Sequence, residues 1–149
     1  MKWVPLTQEE IERYALREGD ILVVRTNGNP EYVGRCLVVP VLSEETVFAS
    51  YLIRLSVDVA SALPEYVATV LNSSSVRRRL RAYVRSSAGN FNINTKGLRS
   101  VVVPMPSLGE QKDFLERYSS IRKAVLSCRA RVDSVSELQR GLLRRSMQQ

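Results

Sequence analysis

The chain begins with a short amphipathic stretch, Pro5 to Leu16, that reads as a helix. Thr7 stands where an N-cap belongs, and Glu10 follows three residues later at the capping-box spacing. Glu18-Gly19-Asp20 then turns the chain into Ile21-Leu22-Val23-Val24-Arg25-Thr26, apolar and β-branched enough for a buried strand. Asn27-Gly28-Asn29-Pro30 is a strong turn signal. The run Tyr32 to Val39, ended by Pro40, reads as a second strand. Val47 to Val57, after the turn Ser43-Glu44-Glu45, reads as a third. Three strands joined by short connections predict an antiparallel meander.

The pattern changes after Asp58. Pro64 suits the first position of a helix that continues from Glu65 to Leu71. Asn72-Ser73-Ser74 interrupts it, and Ser74 or Ser75 can cap a second helix from Val76 to about Arg85. Ser86 to Thr95 reads as a polar loop, and Arg99 to Val103 as a short strand stopped by Pro104 and Pro106. From Ser107 to about Arg145 the period is helical. Phe114, Tyr118, Ile121, Val125, Cys128, Val132 and Val135 are spaced 4-3-4-3-4-3, a heptad seam that Leu142 continues past the polar Gln139. At 1.5 Å per residue the helix would be roughly 55–60 Å long. A core of about 100 residues cannot cover a seam of that length, so its far half requires another helix. The expected fold is α+β: a small, mostly antiparallel sheet with short helices, followed by one long C-terminal helix of coiled-coil type.

At 149 residues the chain can bury a core without staples, and its 44% hydrophobic and 25% charged content is ordinary for a globular protein. Cys36 and Cys128 form no CxxC pair, which argues against a disulfide scaffold or thiolate zinc site. Histidine is absent, removing mechanisms that need an imidazole base or ligand. No apolar run approaches the roughly 20 residues that span a bilayer. The start MKWVPLTQEE lacks the apolar core of a signal peptide, so a cytoplasmic location with no membrane association is expected.

Charge is divided unevenly. Residues 1–75 carry 6 basic and 10 acidic side chains (net −4), and residues 76–149 carry 16 and 5 (net +11). Eighteen of the 22 basic residues are arginine, the residue suited to bidentate contact with phosphate or carboxylate. A one-sided arginine excess points to a polyanion, nucleic acid first, and equally fits a solvated helical face. Arg77, Arg78, Arg81 and Arg85 lie at i, i+1, i+4 and i+8, one face of a helix. Such a face would bind a phosphate backbone, or pair with the acidic first half through Glu44, Glu45 or Glu65. The loop beyond it carries Asn90, Asn92 and Asn94, followed by Lys96. Asparagine can pair bidentately with adenine, and it also closes Asx turns, with Gly89 free to take a positive φ. Asn29-Pro30-Glu31-Tyr32 resembles the NPPY box of adenine methyltransferases but lacks its second proline and a preceding glycine-rich loop; a β-turn explains it equally well. Ser86-Ser87-Ala88-Gly89 lacks the Gly-Lys-Ser/Thr ending of a phosphate-cradling loop.

Six segments follow one order: Gly19-Asp20-Ile21-Leu22-Val23-Val24-Arg25-Thr26-Asn27-Gly28; Val33-Gly34-Arg35; Ala49 to Leu55; Pro64-Glu65-Tyr66 with Leu71-Asn72-Ser73; Ala88-Gly89-Asn90-Phe91-Asn92-Ile93-Asn94; and Val103-Pro104-Met105-Pro106-Ser107-Leu108-Gly109-Glu110-Gln111 leading into the heptad helix. The series, over about residues 16–147, resembles the DNA specificity subunit of type I restriction–modification systems. That family has two target-recognition domains, each reading half of a split DNA site. Long helices that pair antiparallel separate the domains and dock the methylation subunits. The resemblance implies that residues 1–106 are the later part of one recognition domain and 107–149 a spacer or dimerisation helix. The family's usual domain opening has no counterpart before Met1, which implies a fragment, a short reading frame, or a second chain supplying the rest.

The resemblance further implies a non-catalytic protein without cofactor or metal of its own. S-adenosylmethionine and ATP would belong to partner subunits. Expected partners are double-stranded DNA, the methylation and restriction subunits, and a second copy of the chain. Arg77, Arg78, Arg81, Arg85, Asn90, Asn92, Asn94 and Lys96 are the candidate DNA contacts. Tyr118, Ile121, Val125, Cys128, Val132, Val135 and Leu142 are the candidate helix interface. The competing reading is a non-DNA adaptor that dimerises through the C-terminal coiled coil, and a stand-alone enzyme ranks third.

Overall fold

A computed structural model describes residues 5–146, without the side chains of 141–143, 145 and 146. The fold is α+β, with two small antiparallel sheets, short helices and a long C-terminal helix. Two compact units divide the chain, Met1–Gln111 and Lys112–Gln149.

The first helix, α1 (Gln8–Tyr14), is shorter than the Pro5–Leu16 reading but starts where the sequence places it. The Thr7 hydroxyl accepts from the Glu10 amide, and the Glu10 carboxylate accepts from the Thr7 amide. These hydrogen bonds favour the ionised carboxylate and hold the Glu10 pKa below its ordinary value.

Strands β1 (Ile21–Val24), β3 (Cys36–Val38) and β4 (Leu52–Leu55) form one sheet in the order β3-β1-β4. This corrects the expected meander: β4 pairs with β1, Ile21 opposite Leu55, rather than with the strand that precedes it. The reason is burial. Ile21 and Val23 are 0% and 1% exposed, and β1 reaches that state by being flanked on both edges. The chain then changes sheets at Arg25. Its next residues, β2 (Thr26–Asn27), pair with β6 (Asn90–Asn92), which pairs with β5 (Arg85–Ser87). The Arg25 amide donates to the Tyr51 carbonyl and its carbonyl accepts from Ile93, so one residue joins both sheets.

Helix α2 (Pro64–Leu71) has Pro64 at its start, as expected, and buries Tyr66, Val67, Ala68 and Leu71. Helix α3 (Ser74–Arg81) is capped by Ser73 instead of Ser74 or Ser75, and ends four residues early. The expected polar loop from Ser86 is instead the β5–β6 hairpin. Its turn is Ala88 and Gly89, both at positive φ (48° and 78°), the geometry that matches strand twist. The expected strand from Arg99 to Val103 is absent. Thr95–Arg99 forms the short helix α4, because Asn94 caps it and Leu98 is drawn into the core.

Side-chain amides fasten this unit. Asn72 donates to the Cys36 carbonyl at 2.8 Å and accepts from the Cys36 amide at 3.1 Å, so it satisfies the backbone of the β3 edge as a neighbouring strand would. Gln111, fully buried, accepts from the Leu63 amide at 2.8 Å and donates to the carbonyls of Ser61 and Pro106 at 3.0 and 2.8 Å. Three main-chain groups thus depend on one side chain. Gln111→Ala is expected to cost about 2 kcal/mol, since each buried group left unpaired costs about 1–3 kcal/mol before water relaxes the site. Urea denaturation followed by circular dichroism checks this, and an unchanged midpoint would refute it.

The Cys36 thiol faces the Ala68 carbonyl at 3.5 Å. Burial pushes its pKa up to about 11, against the opposing pull of Arg77. Deprotonation is therefore disfavoured in the folded state. Iodoacetamide at pH 8 is expected to spare Cys36 in the native protein and to modify it once urea is added, with mass spectrometry as the readout. Rapid native labelling at pH 8 would contradict the burial argument.

Helix α5 (Leu108–Ser146) is one uninterrupted helix of 39 residues, close to the Ser107–Arg145 expectation. It opens on a second capping box. The Ser107 amide and hydroxyl donate to the Glu110 carboxylate at 2.9 and 2.6 Å, and the Glu110 amide donates back to the Ser107 hydroxyl. The adjacent Glu110-Gln111 pair of the sequence motif is thereby explained: the first caps the helix and the second ties its opening turn to residues 61–63 and 106.

Candidate nucleic-acid interface

Helix α3 is amphipathic in the simplest way. Val76 and Leu80, four residues apart, face the core, and after Ser74 and Ser75 the arginines take the remaining positions. Those arginines have different roles. Arg77 is half-buried, and its guanidinium donates to the carbonyls of Val33 and Glu31. Its pKa is lowered, mainly by burial and then by the nearby positive charges of Arg35 and Arg81. Gly34 makes this approach available. It sits at φ 78°, and a Cβ there would lie 3.0 Å from the Arg77 Nη1 and 3.2 Å from the Leu80 Cδ1. Arg81 pairs with the carboxylate of Glu31, so the acidic half does supply a partner, but not Glu44, Glu45 or Glu65. Arg85 lies on β5 rather than on the helix, and its guanidinium donates to the carbonyls of Ala82 and Val84. The expected four-arginine helical stripe is therefore broken at its last member, because α3 stops at Arg81.

Arg78 is exposed, and its side chain has no hydrogen bond or ion pair among the described residues. The same holds for Arg79, which the sequence reading missed. Selecting an i, i+4, i+8 stripe skipped it; the burial of both Val76 and Leu80 would have placed it outside.

The asparagines also divide. The Asn94 Oδ1 accepts from the Gly97 amide at 2.8 Å and caps α4. The Asn92 Oδ1 accepts from the Thr26 hydroxyl across the β2–β6 pair. Asn90 is exposed near the hairpin turn, with no side-chain hydrogen bond among the described residues, and Lys96 is exposed on α4. The Asn29-Pro30 segment is held as a turn. Its Asn27 Oδ1 accepts from the Asn29 amide, and the Asn29 Oδ1 accepts from the Glu31 amide. Both are Asx turns, the local use that competes with any base contact.

Within α5 the seam residues are uncovered. Ile121, Val132 and Val135 are 63–64% exposed, Val125 45% and Tyr118 43%, and Cys128 is exposed as well. Phe114 and Tyr118 stack with ring centroids 6.1 Å apart. The side chain of Leu142 lies outside the described residues. No helix of the described residues is long and apolar enough to cross a membrane.

No family model matches the chain. It is 29% identical over 145 residues to the EcoKI type I restriction enzyme specificity subunit of Escherichia coli, covering 92% of this chain and 31% of that protein. It is 27% identical over 141 residues to the StySPI type I restriction enzyme specificity subunit of Salmonella potsdam, covering 90% and 30%. A third relative is a type I restriction enzyme specificity subunit of Methanocaldococcus jannaschii, 21% identical over 140 residues. The chain spans about a third of the length of these relatives. Along about nine-tenths of its own length, then, this chain is similar to type I restriction enzyme specificity subunits, the family that its ordered motifs resemble.

Proposed function

We propose that this chain is a non-catalytic DNA-recognition component of a type I restriction–modification system, acting in the cytoplasm. One observation carries the DNA part. Arg78 and Arg79 stand side by side on α3, exposed and without a neutralising partner among the described residues. Exposed guanidinium groups without a carboxylate partner are the groups that a phosphate backbone neutralises, with release of its counterions. In this reading Arg78, Arg79, Arg81, Arg85 and Lys96 meet phosphates. Asn90, with its unengaged amide, is the foremost candidate for a base edge, ahead of Asn92 and Asn94. Arg77 is retained in the interface as the residue that holds the 31–33 backbone against α3.

The long helix supplies the second part of the proposal. Its uncovered heptad seam pairs antiparallel with the seam of a second copy, and the paired helices dock the methylation and restriction subunits. The relatives favour this reading over that of a non-DNA adaptor. Retention of a duplex of unrelated sequence at 50 mM salt, weakening linearly with the logarithm of salt, is the direct test. A chain that self-associates yet leaves the duplex free at that salt concentration would return the assignment to the adaptor.

A further inference from the structure

Three arginines converge on one residue. Arg35 Nε donates to the Glu31 carbonyl at 3.0 Å, Arg77 Nη2 donates to that same carbonyl at 2.5 Å, and Arg81 Nη2 binds the Glu31 carboxylate. The loop bearing Glu31 is fixed from several sides. The Glu31 amide donates to Asn29, and the Tyr32 amide donates to the Asn29 carbonyl. The Arg35 guanidinium also lies over the Tyr32 ring, 4.6 Å from its centroid. Mutual repulsion among these cations is one cause of the lowered Arg77 pKa. The Glu31 carboxylate thus binds one guanidinium of the cluster, Arg81, while the other two hold the main chain of the same residue. It is also accessible, since the Glu31 and Arg81 side chains are 53% and 54% exposed.

From this geometry we infer that the Glu31 carboxylate fills a phosphate slot in the free protein and yields it to a DNA phosphodiester. Carboxylate and phosphate are both anionic oxygen acceptors for a guanidinium, so Arg81 can exchange its contact with the Glu31 carboxylate for one with a phosphate oxygen. The backbone clamp survives the exchange, because Arg35 and Arg77 hold the Glu31 carbonyl and not its side chain. The Glu31 carboxylate would therefore hold Arg81 in place in the absence of DNA and oppose indiscriminate binding. An exposed ion pair of this kind is weak, about 0.2–1 kcal/mol, so displacement by a polyanion is feasible. The inference rests on the proposal that the α3 face meets DNA.

The test compares duplex binding across a salt series for the parent, Glu31→Gln, Glu44→Gln, Arg78→Ala/Arg79→Ala and Glu31→Gln/Arg81→Ala. Glu31→Gln keeps the backbone clamp and is expected to bind up to about five-fold tighter, the exposed-pair energy expressed as affinity. Its salt slope should steepen by up to about one unit, as for one phosphate neutralised. Glu44→Gln makes the same change in net charge away from this cluster and should match the parent. Adding Arg81→Ala should abolish the gain. Inorganic phosphate at constant ionic strength should leave the gain intact; its loss would assign the slot to the free ion and overturn the inference. Equal binding by Glu31→Gln and Glu44→Gln, with Arg78→Ala/Arg79→Ala still weakened, would also overturn it while sparing the DNA assignment. No loss in Arg78→Ala/Arg79→Ala would remove both.

Discussion

Arg78→Ala combined with Arg79→Ala is expected to weaken duplex binding by at least roughly tenfold at 50 mM salt and to lower the salt slope by nearly two units. The slope follows from counterion release, about 0.9 unit for each phosphate of B-form DNA that the protein no longer neutralises. These two positions are the informative ones because nothing else in the fold depends on them: both are exposed and neither side chain has a partner among the described residues. Arg77→Ala would confound the measurement. It removes the guanidinium donor from the Val33 carbonyl and one of the two from the Glu31 carbonyl, and would disturb the loop before it disturbed DNA binding. The double variant should weaken all sequences alike, since phosphate contacts carry no base information. Asn90→Ala should behave differently. If Asn90 reads a base edge, its removal costs about 1–3 kcal/mol on the recognised site and little elsewhere. Fluorescence anisotropy with labelled duplexes measures both effects. Identical titrations of parent and Arg78→Ala/Arg79→Ala would remove the α3 face from the interface.

Self-association of the parent at micromolar concentration, and its loss on combining Val125→Glu with Val132→Glu, is the second large effect expected. The seam exposes Ile121, Val125, Val132 and Val135 along one helix, and Leu138 beside it is exposed as well. Together they form an apolar surface of roughly several hundred Å², at the upper limit of what a soluble monomer leaves uncovered. In a two-fold antiparallel pair the two alternating seam positions face each other, which sets Ile121 opposite Val132 of the other copy and Val125 opposite Cys128. Each glutamate buried there without a counter-charge costs about 3–5 kcal/mol, so the dimer should weaken by more than roughly a thousandfold. Sedimentation velocity reads the state. A monomeric parent at tens of micromolar would refute self-pairing.

Residues that act on their immediate neighbours were legible before the structure. The Thr7–Glu10 capping box, Pro64 opening α2 and the long helix with its seam each depend on contacts within a few positions, and all appear. The composition of the second half likewise announced its arginine surface, and the motif order announced the relationship to specificity subunits. Several boundaries were misread where a local signal was outweighed by a distant one. Arg99 to Val103 has the β-branched character of a strand, yet Asn94 caps Thr95–Arg99 as a helix and Leu98 is buried by the core. The 86–95 stretch is rich in loop formers, yet it has a strand partner in Thr26–Asn27, more than 60 residues away.

What the sequence determined by itself was therefore the short-range structure and the charge available. Tertiary structure decided which strand flanks β1, because only burial on both edges, not spacing, selects β4 for that place. It also sorted chemically identical side chains into different roles. Arg77, Arg78, Arg79 and Arg81 are successive or nearly so, with one composition and one helix, but Glu31 and the 31–33 backbone take Arg77 and Arg81 and leave Arg78 and Arg79 without a partner among the described residues. That division is set by a loop 44 to 50 residues earlier in the chain, and no periodicity along α3 encodes it. A guanidinium's role depends on which acceptors lie within reach, and that is a property of the folded chain.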